Sequence, residues 1–286
     1  MVPERVTRRH RAGYADMRAT LVVHDGRAEV MAFARQLAAT ARSHGLEIRG
    51  DDGVRPIAGV EDFNSDRPDV VVAVGGDGTM LAAVQVALLH EAPVVGFNLG
   101  TIGFLTEAEP SQLDEVVAIL ASGKFATVPR LGIAATLGQA TARGLNDVVV
   151  EKIDSLRLVH LAVEIDGDPF VTYRADGLIV ATPTGSTAYN FSAGGPLVDP
   201  SVDALLMTPV ASHSLFSRTV VLSPDAVIRV TVERDRPVRV SVDKVGLGEA
   251  EEGDVVQIER APRPIHFVRL DHGSFARAVT EKFRLR

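Results

Sequence analysis

The chain has 286 residues, 46% of them hydrophobic, 23% charged and 5% aromatic, enough for one large domain or two modest ones with an ample core. Its formal net charge of −7 opposes binding to nucleic acid or to an anionic membrane, yet leaves room for a small anion held by backbone N–H groups. With no cysteine, disulfides, thiolate metal sites and Cys nucleophiles are excluded, and no apolar run reaches the roughly 20 residues that span a bilayer, so the expected location is the cytoplasm.

In chain order, the Arg-rich stretch from Met1 to Arg18 lacks the apolar core of a signal peptide and reads as an N-terminal extension, residues 1–19. Residues 21–24 read as a short buried strand and Asp25-Gly26-Arg27 as a turn. Residues 29–43 read as a helix, because Val30, Phe33, Ala34, Leu37 and Ala41 recur at helical spacing. Gly45 ends that helix. Residues 49–68 are polar and read as loop, with room for one short strand.

Val70-Val71-Val72-Ala73-Val74 is β-branched without a polar break, as in a parallel strand buried on both faces. A Gly-rich turn follows, then a helix over 79–89, a strand over 93–97 and a helix over 111–121 with Ser111 as its N-cap. Strand alternating with helix is the α/β pattern.

Near residue 125 the texture changes. Short strands with turn signals are expected at 133–137, 146–151, 156–165, 170–174, 178–181, 220–222, 226–232, 238–242 and 255–258. Asp166-Gly167-Asp168 marks a hairpin turn, Glu249 to Asp254 an acidic solvated loop, and residues 274–283 a short helix. The expected fold class is an α/β N-terminal domain with a parallel sheet, residues 20–125, and a C-terminal β-rich domain, residues 126–270.

Two segments carry chemistry. In Gly75-Gly76-Asp77-Gly78-Thr79, three glycines surround an Asp at the carboxyl end of a buried strand, where open α/β sheets bind ligands. Glycine lets the backbone come close to a ligand, and a helix N-terminus favours phosphate. An Asp there either holds nucleotide-bound Mg²⁺ or takes a proton from an attacking hydroxyl, as in kinases. The run lacks the Gly-Lys-Ser/Thr ending of a Walker A loop. The second segment, 174–192, brackets an apolar strand with Asp176-Gly177 and a turn rich in hydroxyls: Thr182, Thr184, Ser186 and Thr187. Such a turn suits a sugar or phosphate, or else satisfies its own backbone. Tyr189 offers a flat face to a base or nicotinamide ring, and Asp176 could accept from an amide or amino group. His160, His213, His266 and His272 lack metal-ligand spacing, and Ser186 has no Gly-x-Ser-x-Gly context.

These two segments, with Asn98-Leu99-Gly100-Thr101-Ile102-Gly103-Phe104-Leu105 and Asn146-Asp147-Val148-Val149 between them, resemble the successive motifs of bacterial NAD kinases across roughly residues 20–285. The Gly-Gly-Asp-Gly-Thr run alone is shared with diacylglycerol, sphingosine and 6-phosphofructo-type kinases. The resemblance implies that residues 271–286 return to the first domain and that NAD binds between the domains. It implies ATP with Mg²⁺ as donor, NAD as acceptor, and a homodimer or homotetramer. Asp77 matches the catalytic proton acceptor for the ribose 2′-hydroxyl. Gly75, Gly76, Gly78 and Thr79 match the phosphate-facing turn. For NAD, the resemblance implies contacts from Asp77, Gly78, Phe104, Asn146, Asp147, Arg157, Arg174, Asp176 and Thr184, and from the run Thr187, Ala188, Tyr189, Asn190, Phe191 and Ser192.

Some positions depart from the family pattern. Thr101 replaces Arg or His, Ala82 a frequent Arg, and Asp243-Lys244 a frequent Asp-Gly, while Ser212-His213-Ser214 lacks a Pro before His. Two other readings remain at this point: a kinase of another small-molecule hydroxyl, and a sensor of NAD or ATP without catalysis. Retention of an acid in the phosphate turn speaks against the sensor.

Overall fold

The computed structural model describes residues 17–23, 26–50, 59–62, 67–100, 103–106, 108–154, 156–234, 236–270 and 274–285. The expected N-terminal extension as far as residue 16, and Asp25, Thr101 and His272, lie outside them. The chain divides into two units. One runs to Pro129 and resumes at Ile265; the other is Arg130–Pro264.

The first unit is built on a parallel sheet. Its strands are β1 (Arg18–Val23), β2 (Glu47–Gly50), β3 (Glu61–Asp62), β4 (Val70–Val74), β5 (Val94–Phe97), β6 (Thr127–Arg130) and β19 (Ile265–Val268), in the order β3-β2-β1-β4-β5-β19-β6. Pairing is parallel from β3 through to β19. All five residues of β4 are buried, as its unbroken apolar run requires. Helix α1 (Ala28–Ser43) buries the expected apolar stripe, and Phe33 meets Phe97 with ring centroids 5.3 Å apart. Helix α2 (Asp77–His90) follows β4. The chain leaves β1 toward β2 on one side and places β4 and β5 on the other, so the crevice where such sheets take ligands lies at the carboxyl ends of β1 and β4.

Three local expectations change. α2 begins at Asp77 and not at Thr79, because Gly76 is the last extended residue; Asp77, Gly78 and Thr79 form the first helical turn. Ser111 is not a cap. Glu109 caps a 3₁₀ turn reciprocally with Gln112, and helix α3 (Leu113–Ala121) starts only after it. The return to the first unit comes at Ile265, ahead of the expected 271, since β19 pairs with β5 through Phe267 and Val94.

The second unit is a sandwich of two six-stranded antiparallel sheets. Its strands are β7 (Ile133–Leu137), β8 (Ala140–Gly144), β9 (Asp147–Lys152), β10 (Val159–Ile165), β11 (Asp168–Ala175), β12 (Gly177–Ala181), β13 (Leu205–Val210), β14 (Val220–Leu222), β15 (Ile228–Glu233), β16 (Val238–Val242), β17 (Val245–Ala250) and β18 (Val255–Arg260). The orders are β11-β10-β15-β18-β7-β8 and β14-β13-β12-β9-β16-β17. One core draws on both sheets, with Leu161, Val230 and Ile258 from the first and Val148, Leu178 and Val240 from the second. β12 is buried throughout because its other face, through Ile179 and Ala181, packs beneath Val198 and Ala193. The Asp166-Gly167 turn has φ of 54° and 87°, as a tight hairpin needs. A one-turn helix α4 (Tyr189–Ser192) follows the hydroxyl-rich turn, and α5 (Phe275–Phe283) closes the chain, capped by Ser274.

Candidate functional site

In the first unit the site grows from the end of β4. Gly75 has φ of 149°, and a Cβ there would stand 2.3 Å from Thr79 Oγ1, so only glycine lets the turn close on the buried Thr79. Gly76 has no side chain with which to cap α2, which leaves the first N–H groups of the helix open at its positive end. Asp77 occupies the first helical position. Its Oδ2 accepts from Phe104 N–H at 3.2 Å and its Oδ1 from Leu105 N–H at 3.1 Å. Gly103 makes this grip possible: a Cβ on it would lie 2.2 Å from Asp77 Oδ1. The carboxylate is therefore fixed in direction, and the second lone pair of each oxygen remains to accept from a ligand. Phe104 packs against Phe283 of α5 at 6.1 Å, with the Lys282 ammonium 5.8 Å from its ring centroid. Ala82 lies in α2.

In the second unit the carboxylates line β12 and its neighbour β9. Asp147 pairs across from Ala181 and Glu151 from Gly177, so Asp147 and Asp176 sit at opposite ends of β12, about 17 Å apart along a five-residue strand. Gly177 admits the crossing from one sheet to the other: a Cβ there would meet Val150 O at 2.5 Å.

Asn146 and Asp147 are held from two sides. Asp243 accepts from the N–H groups of Leu145, Asn146 and Asp147 at 2.6, 2.7 and 3.2 Å. From the other side, Thr182 donates from its backbone N–H to Asn146 O at 2.8 Å and from its hydroxyl to Leu145 O at 2.6 Å, and Gly185 packs so close to Asn146 O that a Cβ would stand 2.0 Å away. Asn146 Oδ1 is buried without a hydrogen-bond partner. Burial and the charge of Asp243 push the Asp147 carboxyl up to about 7, against the pull of Lys244. Burial also raises Asp243, although its three N–H donors work the other way.

Asp176 is gripped by Lys152, whose Nζ donates to Asp176 Oδ1 at 2.5 Å and whose N–H donates to Asp176 O at 2.9 Å. Tyr189 is 40% exposed. Its hydroxyl is held above the usual phenol range by burial, then by the charges of Glu151, Asp176 and Asp147, so Tyr189 feels the carboxylates at both ends of β12. Thr187, Ala188, Phe191 and Ser192 are at least partly exposed around it. Arg174, exposed, donates its N–H to Ser214 Oγ at 2.9 Å. Arg157 is also exposed and lines a cavity of about 180 Å³ with Lys152 and Arg236.

Several hydroxyls of the second segment serve the backbone. Ser186 exchanges hydrogen bonds with Val198, and Thr187 donates to Thr184 O. Asn190 is fully buried: its amide donates to Ser186 O and Pro196 O, and its Oδ1 accepts from Thr208 at 2.6 Å. Its side chain is a brace under the one-turn helix. Thr184 is 5% exposed. Sequence reasoning missed Lys152 and Asp243 as site-forming residues. The signal for Asp243 was a turn-forming Asp directly after the alternating strand 238–242; Lys152 carried none, because its partner lies 24 residues away.

The family models of the ATP-NAD kinase N-terminal and C-terminal domains match residues 14–125 and 145–270. The chain belongs to the NAD kinase family. It is 34% identical to an NAD kinase of Nocardia farcinica over 302 residues, covering 96% of this chain and 93% of that one. It is 38% identical to NAD kinase 2 of Streptomyces avermitilis over 226 residues, 77% of this chain and 75% of that one. An NAD kinase from Archaeoglobus fulgidus in complex with ATP superposes with a TM-score of 0.70 at 26% identity, over 88% of this chain and 94% of that one. The fold is also that of yeast NADH kinase complexed with NADH, at a TM-score of 0.87 and 23% identity, covering 96% and 89%. As an NAD kinase, the chain carries out ATP-dependent phosphorylation of NAD to NADP.

Proposed function

We propose that Asp77 is the base of this phosphoryl transfer and that the residues along β9, β12 and α4 hold NAD. The 2′-oxygen of the adenosine ribose bonds to the γ-phosphorus of ATP as the bond to the β–γ bridging oxygen breaks. ADP departs, and the hydroxyl proton passes to Asp77. The observation that carries this reading is the fixed Asp77 carboxylate, locked by Phe104 and Leu105 N–H beside an uncapped helix N-terminus. A carboxylate whose direction is fixed before the reaction needs no reorganisation in the transition state. The N–H groups of Gly76, Asp77, Gly78 and Thr79 receive the phosphates.

Asn146, Asp147, Asp176, Thr187, Ala188, Tyr189 and Ser192 hold NAD. The unpartnered Asn146 Oδ1 calls for a donor from the ligand. Asn190 and Thr184 act through the backbone that they brace. In this reading Mg²⁺ arrives with ATP, where it offsets phosphate charge. A homo-oligomer in the cytoplasm completes the reading; no helix among the described residues is long and apolar enough to cross a membrane.

Asp77→Asn tests the reading. The variant is expected to fold and to bind NAD while its turnover falls by about 10²–10⁴-fold, the usual contribution of a positioned base. Turnover near that of the parent chain, measured as NADP formed from ATP and NAD, overturns the assignment.

A further inference from the structure

Helix α5 is the last element of the chain, and none of its nine residues is buried. Its half-buried Phe275, Ala278, Val279 and Phe283 recur at helical spacing, so one face lies against the protein. A helix this short has little stability of its own in water, and contacts along that face supply what it lacks. At the end of the helix those contacts fall on a single residue of the site. The Phe283 ring lies 6.1 Å from the Phe104 ring, tilted by 47°, within the range of favourable aromatic pairs. The Lys282 ammonium stands 5.8 Å from the centroid of the same ring, at cation–π distance.

Phe104 meets the base through its backbone. Asp77 Oδ2 accepts from Phe104 N–H at 3.2 Å, and Oδ1 accepts from Leu105 N–H at 3.1 Å. The two donors are anchored differently. Leu105 is 6% exposed, so the interior fixes it. Phe104 is half-buried and follows Gly103, whose backbone is free to turn, and its ring has the two α5 side chains against it.

We propose that Phe283 and Lys282 are positioning residues for the phosphoryl transfer. By holding the Phe104 ring they keep its N–H on Asp77 Oδ2, so the end of the chain sets how firmly the base is aimed. This rests on the reading that Asp77 is the base. One of the two hydrogen bonds on the carboxylate is then secured by the interior, and the other by the C-terminal helix.

The experiment compares the parent chain with Phe283→Ala, Phe283→Tyr and Lys282→Gln. Amide hydrogen exchange, followed by NMR in the ligand-free protein, reads the grip directly. In Phe283→Ala the Phe104 amide is expected to exchange about two- to tenfold faster, the effect of losing one aromatic contact, while Leu105 stays as in the parent. Steady-state kcat should fall by a similar factor, with the KM for ATP unchanged. Lys282→Gln should act in the same direction by about twofold, and Phe283→Tyr, which keeps the ring, should behave as the parent. Because no α5 residue is buried, the melting temperature should barely move. A Phe104 amide that exchanges as before in Phe283→Ala overturns the proposal, and so does faster exchange with kcat unaltered. A merely structural role predicts a lower melting temperature with Phe104 and Leu105 exchanging faster together, and that result overturns it too. Full turnover in Asp77→Asn is a separate failure, of the base assignment, because exchange at Phe104 reads the α5 contact without any turnover.

Discussion

Asp77 depends on a glycine 26 residues further along the chain. Gly103 leaves the space into which the Asp77 carboxylate fits, and a methyl group there would stand 2.2 Å from Oδ1. Gly103→Ala is therefore expected to keep a folded protein with a near-native melting temperature, yet to lower kcat by at least about tenfold, since small misplacements of a reacting group cost that much. Steady-state kinetics beside a thermal melt checks this. Asp147 carries a second consequence. Its carboxyl moves from 3.8 to about 7 on folding, so between those values the folded state binds a proton that the unfolded state releases. Stability from this group is fully present below the unfolded value and is lost as pH rises toward 7. Asp147→Asn should therefore gain stability relative to the parent chain between pH 5 and pH 8, by up to about 3 kcal/mol, in paired urea melts. The ionised form is also the one that accepts from hydroxyls, so the KM for NAD should fall as pH rises through 7.

At the scale of elements, the segment after β12 works as a strap. Thr182, Gly185 and Ser186 tie it to residues 145–146 and to Val198, and Asn190 anchors the one-turn helix to Thr208 on β13. Such a short helix has little stability of its own; the buried amide supplies it. Asn190→Ala leaves a cavity and unpaired carbonyls at Ser186 and Pro196, and should cost about 2–4 kcal/mol. Chemical denaturation would show it, together with a raised KM for NAD. In the sequence this segment was legible as a polar turn, but which of its side chains face a ligand was not. Thr187, Tyr189 and Ser192 differ from Ser186 and Asn190 in what lies opposite them, and for the latter two that is Val198, Pro196 and Thr208 of β13, which come later in the chain. The unforeseen strands have a similar cause. β13 contains Pro209, and β8 and β17 are small-residue or glycine-bearing edges. Their pairing comes from neighbours and not from their own propensity.

At the scale of the molecule, the second unit is one continuous stretch, Arg130–Pro264, with a core shared by its two sheets. The first is discontinuous: β19 stands between β5 and β6 in its sheet. A fragment of residues 130–264 is expected to melt cooperatively with a sheet-rich circular dichroism spectrum. A chain ending at 264 should lack a folded first unit, because it loses the buried Ile265, Phe267 and Val268, at about 1.5–3 kcal/mol each, and leaves β5 unpaired on that side. Dispersed NMR signals from residues 70–97 in that truncated chain would contradict this.

The sequence by itself determined the α/β-then-β order, the buried β4, the Asp166-Gly167 hairpin, and the glycine-rich turn at the carboxyl end of β4. Each is written in contiguous residues, where local sterics and the burial pattern act over a few positions. Only the tertiary structure decided that Phe104 and Leu105 aim Asp77, that Asp243 braces Asn146 and Asp147, that Lys152 grips Asp176, and that the helix behind the phosphate turn begins at Asp77 itself. The first three depend on groups 24 to 98 residues apart, which meet only when the sheets have paired; the last turns on the extended backbone of Gly76.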